Sequence, residues 1–119
     1  MRLSDIYQRL EAEEVVPAGN YDVEVRNICA SDLLSDILAT LKNDFVILTG
    51  LTTVQVVRTA EISGAIAIIL VRNKAVPADM VKLAREKGLP LARCRFPMFE
   101  ACTLLSALKM NDAVIPKTP

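Results

Sequence analysis

The residues best suited to chemistry in this sequence sit in short polar turns that follow apolar runs. The clearest case is Asp44-Phe45-Val46-Ile47-Leu48-Thr49-Gly50-Leu51-Thr52-Thr53. Four bulky apolar residues lead into hydroxyls and one glycine, and a helical pattern opens from there. Thr49, Gly50, Thr52 and Thr53 thus offer hydroxyls and free amides at a predicted helix start, a weak cradle for an anion or polar ligand. The competing structural role is simpler: one threonine caps the helix and the others close the turn.

A second group is Ser31-Asp32-Leu33-Leu34-Ser35-Asp36, two Ser-Asp pairs spaced so that both fall on one face of a predicted helix. Capping accounts for Ser31 and complementarity to the helix dipole for Asp32. Ser35 and Asp36 suit a solvated face. Two carboxylates there would need substrate phosphates to hold Mg²⁺ well, so no metal site is expected. Arg72, Lys74, Arg93 and Arg95 gather near predicted strand ends. They would either receive an anionic ligand or stand as solvated charges around buried strands. Phe96-Pro97-Met98-Phe99-Glu100 opens the last helix with two of the five aromatic residues. Phe96 and Phe99 would cover a pocket or a subunit interface, although packing under the helix is the commoner fate. The candidate ligand-binding set is therefore Ser31, Asp32, Ser35, Thr49, Gly50, Thr52, Thr53, Arg72, Asn73, Phe99 and Glu100. No catalytic residue and no cofactor are assigned.

Several function classes are excluded by what these residues lack. The sequence contains no histidine, the commonest general base and metal ligand. Serine and cysteine triads of the usual kind are ruled out with it. There is no Gly-x-x-x-x-Gly-Lys-Ser/Thr string for a P-loop and no Gly-x-Gly-x-x-Gly after any strand. Cys29, Cys94 and Cys102 form no Cys-x-x-Cys pair, which reads as small apolar residues in a reducing compartment. With 14 basic and 14 acidic residues the net charge is zero, unlike a nucleic-acid-binding surface. The longest apolar run, Ala65 to Val71, is far short of the ~20 residues that cross a bilayer. The start, Met1-Arg2-Leu3-Ser4-Asp5, has no signal-peptide core. A soluble, cytoplasmic protein that contacts neither membrane nor nucleic acid is expected. Zero net charge at 52% hydrophobic residues weakens solubility as a monomer, and self-association is the natural remedy.

The elements that must position these turns follow from hydrophobic period. Leu3, Ile6, Tyr7 and Leu10 predict a helix over residues 4–12, with Ser4 as N-cap. Val15-Val16 reads as a short strand and Pro17-Ala18-Gly19-Asn20 as a turn. Tyr21, Val23 and Val25 alternate with charged residues, the pattern of a half-exposed strand that continues through Ile28-Cys29-Ala30. Ser31-Asp32 starts a helix with Leu33, Leu34, Ile37, Leu38 and Leu41 as its apolar stripe. Phe45–Leu48 is a buried strand. Thr53–Ser63 is read as helix against the β-propensity of Val54, Val56 and Val57, because Gly64 suits a left-handed cap and adjacent parallel strands need a crossover. Ala65–Val71 is a strand. Pro77 opens the next helix and Gly88 closes it. Leu89–Cys94 is a strand, and Pro97 opens a helix with Met98, Ala101, Cys102, Leu105 and Leu108 inward. The 119 residues make one domain over 1–110, with 111–119 as a loose C-terminal tail. The fold class is three-layer α/β/α with a mainly parallel central sheet of four to five strands and right-handed crossovers. Polar turns at the carboxyl ends of such strands are where ligands usually sit.

Three of these strings also resemble a known family. Phe45-Val46-Ile47-Leu48-Thr49-Gly50, Gly64-Ala65-Ile66-Ala67-Ile68-Ile69-Leu70 and Lys87-Gly88-Leu89-Pro90-Leu91 resemble the DRTGG domain. That domain occurs within bacterial phosphotransacetylases and CBS-containing pyrophosphatases, and is related to the N-terminal domain of HPr kinase/phosphorylase. Ala30-Ser31-Asp32-Leu33-Leu34-Ser35-Asp36 and Phe99-Glu100-Ala101 resemble small stand-alone members. The likeness spans residues 3–109. The eponymous motif is altered: Gly50-Leu51-Thr52 stands where Gly-Asp-Arg is usual, and Val71-Arg72-Asn73 where Thr-Gly-Gly is common. The resemblance implies an HPr kinase N-domain-like fold and a regulatory module, commonly self-associated. It does not imply kinase activity, which belongs to a separate P-loop domain.

The function expected is a non-catalytic regulatory module. It would form a homodimer, bind a small polar or anionic metabolite and signal to a partner protein. The alternative is a dimerisation module with no ligand. A metal-dependent enzyme using Asp32, Asp36 or Glu100 is the weakest fit without histidine.

Overall fold

A computed structural model of the chain describes residues 1–40 and 42–108. The elements run α1 (Leu3–Leu10), β1 (Glu13–Val16), β2 (Asn27–Ala30), α2 (Leu34–Leu38), β3 (Phe45–Thr49), α3 (Val54–Ser63), β4 (Ala67–Leu70), α4 (Ala78–Glu86), β5 (Leu91–Arg93) and α5 (Met98–Ser106). One five-stranded sheet has the order β1-β5-β4-β3-β2. β2 through β5 are parallel in sequence order, and β1 adds antiparallel beside β5.

Strand period sorts the core into two layers. Val46, Leu48, Ala67 and Ile69 join Leu3, Ile6 and Leu10 of α1 and Ala101 and Leu105 of α5. Their alternates Phe45, Ile47, Ile68 and Leu70 pack against Ile37 of α2, Val56, Val57 and Ala60 of α3, and Met80 and Ala84 of α4. Helices therefore cover both faces, a three-layer α/β/α fold as the sequence predicts. With α2, α3 and α4 on one face of strands laid down in a single direction, the three crossovers share one hand. All the turns that follow β2, β3, β4 and β5 open at the same edge.

The structure departs from expectation where local backbone chemistry outweighs side-chain pattern. Arg2, not Ser4, is the N-cap of α1. Its amide donates to the Asp5 carboxylate at 2.8 Å, one half of a capping box. The helix stops at Leu10, and Glu11 turns left-handed at φ 51° rather than continuing to residue 12. Tyr21–Arg26 forms no strand. Only Glu24 bridges, to Arg2. The segment instead serves the start of α1: the amides of Leu3 and Ser4 donate to the carbonyls of Val23 and Tyr21, each at 3.0 Å. It supplies acceptors that the first turn of a helix lacks.

Ser31 and Asp32 precede α2 rather than lying on its face, and Leu33 is the N-cap. Of the expected stripe only Ile37 is buried; Leu33 and Leu38 are exposed, and Leu41 lies outside the described residues, as does the expected tail at 111–119. Thr53 occupies the N-cap of α3 but makes no side-chain cap bond. β4 and β5 are shorter than the apolar runs Ala65–Val71 and Leu89–Cys94, although single backbone bonds continue past their ends: the amides of Ile66, Val71 and Cys94 donate to the carbonyls of Phe45, Thr49 and Leu70. Gly64 closes α3 at φ 80°, as its position predicts. Phe96 packs against the core, whereas Phe99 is 77% exposed and does not pack under its helix.

Tyr7 carries a cost within this core. Its hydroxyl is buried without a hydrogen-bond partner, and burial, reinforced by the nearby Glu14 carboxylate, pushes its ionisation well above the usual phenol range. An unfolded tyrosine loses its proton near pH 10 while the folded one retains it, so the native state loses stability as pH rises beyond that value. Tyr7→Phe deletes an unpaired buried hydroxyl. It should leave the fold unchanged or stabilise it by up to about 1 kcal/mol, and should blunt the alkaline loss. Urea unfolding at neutral pH and near pH 10.5 measures both effects.

Candidate functional site

The turns after β2 and β3 meet, and one carboxylate joins them. Asp32 Oδ1 accepts the Thr49 hydroxyl at 3.0 Å and the Gly50 amide at 2.7 Å. Thr49 Oγ1 in turn accepts the Leu51 amide at 3.2 Å. Thr49 is fully buried; its hydroxyl is affordable there because it both donates and accepts. Ser31 performs the same service one residue earlier, its Oγ accepting the Leu33 amide at 3.0 Å in a hydroxyl-closed turn.

Gly50 is held from its other side too. Lys74, from the loop after β4, donates its ammonium to the Gly50 carbonyl at 2.7 Å. A side chain added at Gly50 would have its Cβ 3.5 Å from both the Asp32 carboxylate and the Lys74 ammonium. The glycine leaves open the gap between an anion and a cation that reach the same residue. No ion pair joins Asp32 to Lys74 among the described residues, and Asp32 is solvent-exposed. Its second oxygen and two of the three ammonium protons are thus open to further partners.

Arg93 fixes the Lys74 loop from β5. It donates to the Lys74 carbonyl at 3.1 Å and pairs with Glu13 of β1 at 3.0 Å. Arg72 and Asn73 occupy left-handed conformations, φ 70° and 50°, which for arginine costs roughly 1–2 kcal/mol. Their amides donate to the carbonyls of Phe96 and Cys94, each at 2.8 Å. The strain is spent sealing the crevice between β4 and β5, where chain paths diverge to opposite faces of the sheet.

Ser31, Asp32, Thr49 and Gly50 are therefore brought together. Thr52 is half-buried and Thr53 exposed at the start of α3, the next residues along the same edge. Ser35 is exposed in α2, while Phe99 and Glu100 are exposed in the first turn of α5. Arg72 and Asn73 join the edge through their backbones. Lys74 is the side chain reaching this group that the candidate set omits. Its sequence signal was its place beside Arg72 after a buried strand; only the turn conformation singles out its ammonium.

Chemically the group is a polar cradle. The Cys94 and Cys102 thiols are pushed up by burial, the opposite of nucleophile activation. No group of three or more metal-ligating side chains gathers among the described residues. Two depressions, of about 620 Å³ on α4 and about 370 Å³ beside α1 and Leu108, lie away from the cradle. No helix among the described residues is long and apolar enough to cross a membrane.

No protein-family model and no curated protein matches the sequence. Among solved structures, one neighbour is the CBS and DRTGG domains of the regulatory region of a Clostridium perfringens pyrophosphatase, complexed with its activator diadenosine tetraphosphate. It matches 87% of this chain with a TM-score of 0.65 at 11% sequence identity, and this chain covers 45% of the neighbour. The likeness is one of fold: a five-stranded, mostly parallel sheet between helices, of the kind found in that regulatory region.

The Asp32 carboxylate is the tie between the two turns, and its loss is measurable. Asp32→Ala leaves the buried Thr49 hydroxyl and the Gly50 amide without their acceptor. It should lower unfolding free energy by about 1–3 kcal/mol, read by urea denaturation. Asp36→Ala, in an exposed position, should change it by less than about 0.5 kcal/mol.

Proposed function

We propose that the protein is a non-catalytic, ligand-sensing regulatory module, in which residues 1–110 form the working domain. It acts in the cytoplasm of a bacterium, as a homodimer, through contacts with a partner protein. A small polar or anionic metabolite binds at the edge built by Ser31, Asp32, Thr49, Gly50, Thr52 and Thr53, with Arg72, Asn73 and Lys74 on its other flank. Ser35, Phe99 and Glu100 border that edge.

The observation carrying this reading is the pairing of opposite charges on one glycine. Asp32 and Lys74 both hold Gly50, and neither is saturated by doing so. A ligand suited to them has hydroxyl or amino donors for the free Asp32 oxygen and an anionic group for Lys74 and Arg72. Nucleotides and phosphorylated sugars combine both. The fold neighbour is described as a regulatory region complexed with a nucleotide activator, which supports the same class. Weakness of any reaction chemistry at the edge favours sensing over catalysis.

Differential scanning fluorimetry against mononucleotides, dinucleoside polyphosphates and phosphorylated sugars tests the proposal. A ligand at one hundred times its Kd should raise stability by about 2.7 kcal/mol. Lys74→Met keeps an unbranched side chain, one atom shorter, and removes its charge; it should weaken binding about tenfold or more by titration calorimetry, equivalent to ~1.4 kcal/mol. Failure of every class to shift the melting temperature, or equal binding by Lys74→Met, would overturn the ligand site.

A further inference from the structure

The two edges of the sheet are not alike. β1 is guarded: it carries Glu13 and Glu14, both exposed, its register shifts between Glu14 and Val16, and Pro17 follows. Charges, irregular pairing and proline are the devices that keep sheet edges from pairing with other chains. β2, at the opposite edge, has none of them. Its sequence is Asn27-Ile28-Cys29-Ala30, uncharged and in regular register with β3 along all four residues.

The peptide groups that β2 leaves free can be named. The amides of Asn27 and Ser31 donate inward, to the carbonyls of Asp44 and Leu48. The strand period of two then turns Cys29 inward as well and the N–H and C=O of Ile28 and Ala30 outward. The outer rim is a short row of donors and acceptors with no strand beside it. Its side chains are half-buried, except the exposed Ala30, while every residue of neighbouring β3 is fully enclosed.

We infer that β2 pairs antiparallel with β2 of a second copy of this chain, in a register centred on Cys29. Two independent features select that partner and register. First, only a two-fold register in which outward residues oppose outward residues makes hydrogen bonds, and centring on Cys29 sets Ile28 opposite Ala30 of the second copy twice over, four bonds in all. Second, the strand is flanked by Arg26 on one end and Asp32 on the other, both exposed. Antiparallel pairing brings each Arg26 to the end bearing Asp32 of the other copy; parallel pairing would set like charges together. The exposed Leu33 and Leu38 beside this edge add apolar surface along the joint. Two domains thereby share one continuous sheet of ten strands, twice the observed five. This deepens the self-association in the function proposed above, and is independent of the ligand.

Cys29 makes the register directly readable. In a non-hydrogen-bonded antiparallel pair the two Cα atoms lie about 4.5 Å apart, within the span a disulfide bridges. The full chain at about 50 μM, treated with diamide, which takes up two electrons and two protons as two thiols join, should give a covalent dimer that dithiothreitol reverses. Cys29→Ser should abolish the cross-link yet remain a dimer by sedimentation velocity; Cys94→Ser and Cys102→Ser should still cross-link. Ala30→Lys places a charge on the bare rim and should weaken dimerisation at least tenfold. Its melting curve is recorded alongside, and if that variant does not fold, the cross-linking arm decides. A dimer that does not cross-link through Cys29 would overturn this edge and leave self-association standing. A monomer at that concentration would overturn both, whatever the ligand screen returns.

Discussion

Two adjacent strands with no solvent-facing side impose most of this structure. Every side chain of β3 and β4 is buried, so each must be apolar or, like Thr49, fully bonded. Enclosing a bulky apolar side chain contributes about 1.5–3 kcal/mol relative to exposure, and these strands contribute seven such residues besides Ala67 and Thr49. Covering both faces demands two helical layers. Three crossovers of one hand supply the first; α1 and α5 supply the second. Because the crossovers share direction, all four parallel strands release their turns at one edge. The Asp32–Gly50–Lys74 group is a consequence of that constraint before it is anything functional.

The same constraint decides how much could be read without coordinates. Fully enclosed strands write themselves as unbroken Val/Ile/Leu runs, so Phe45–Leu48 and the interior of Ala65–Val71 were legible. Helices that bury one stripe were legible as well, with Gly64 and Gly88 marking their ends. Even the valine-rich α3 followed, from the need to cross over between parallel neighbours. What failed was the half-exposed periphery. Tyr21–Arg26 alternates like a strand, but alternation shows only that one side is covered. Here the cover is α1, whose open amides take the carbonyls that a sheet would have used.

The start of α2 failed for a related reason. Ser31 and Asp32 have the side chains of a helix N-terminus, and their oxygens do accept backbone amides. Those amides belong to a tight turn and to the neighbouring Gly50, not to the helix that follows. A short polar side chain announces that it will satisfy an orphan donor; it does not announce whose. The meeting of the two turns was legible from topology, whereas Lys74 was not, because a lysine in a polar loop has no pattern to distinguish it from a solvated charge. Only the left-handed turn at Arg72 and Asn73 aims it back toward Gly50.

The two ends of β2 connect the candidate ligand edge with the bare sheet rim. Asp32 lies two residues beyond the end of the strand at Ala30 and holds Gly50, so it borders both. Its first oxygen is committed inward to the Thr49 hydroxyl and the Gly50 amide. Its second accepts no hydrogen bond among the described residues. In the dimer proposed above, a group that neutralised or reoriented this carboxylate would alter the electrostatics beyond the end of the strand, and with them the complementarity offered to Arg26 of the second copy. Coupling of this kind needs no movement of the core. It would require only that one charged side chain border both proposed surfaces, its inner oxygen bound to the Gly50 amide at 2.7 Å.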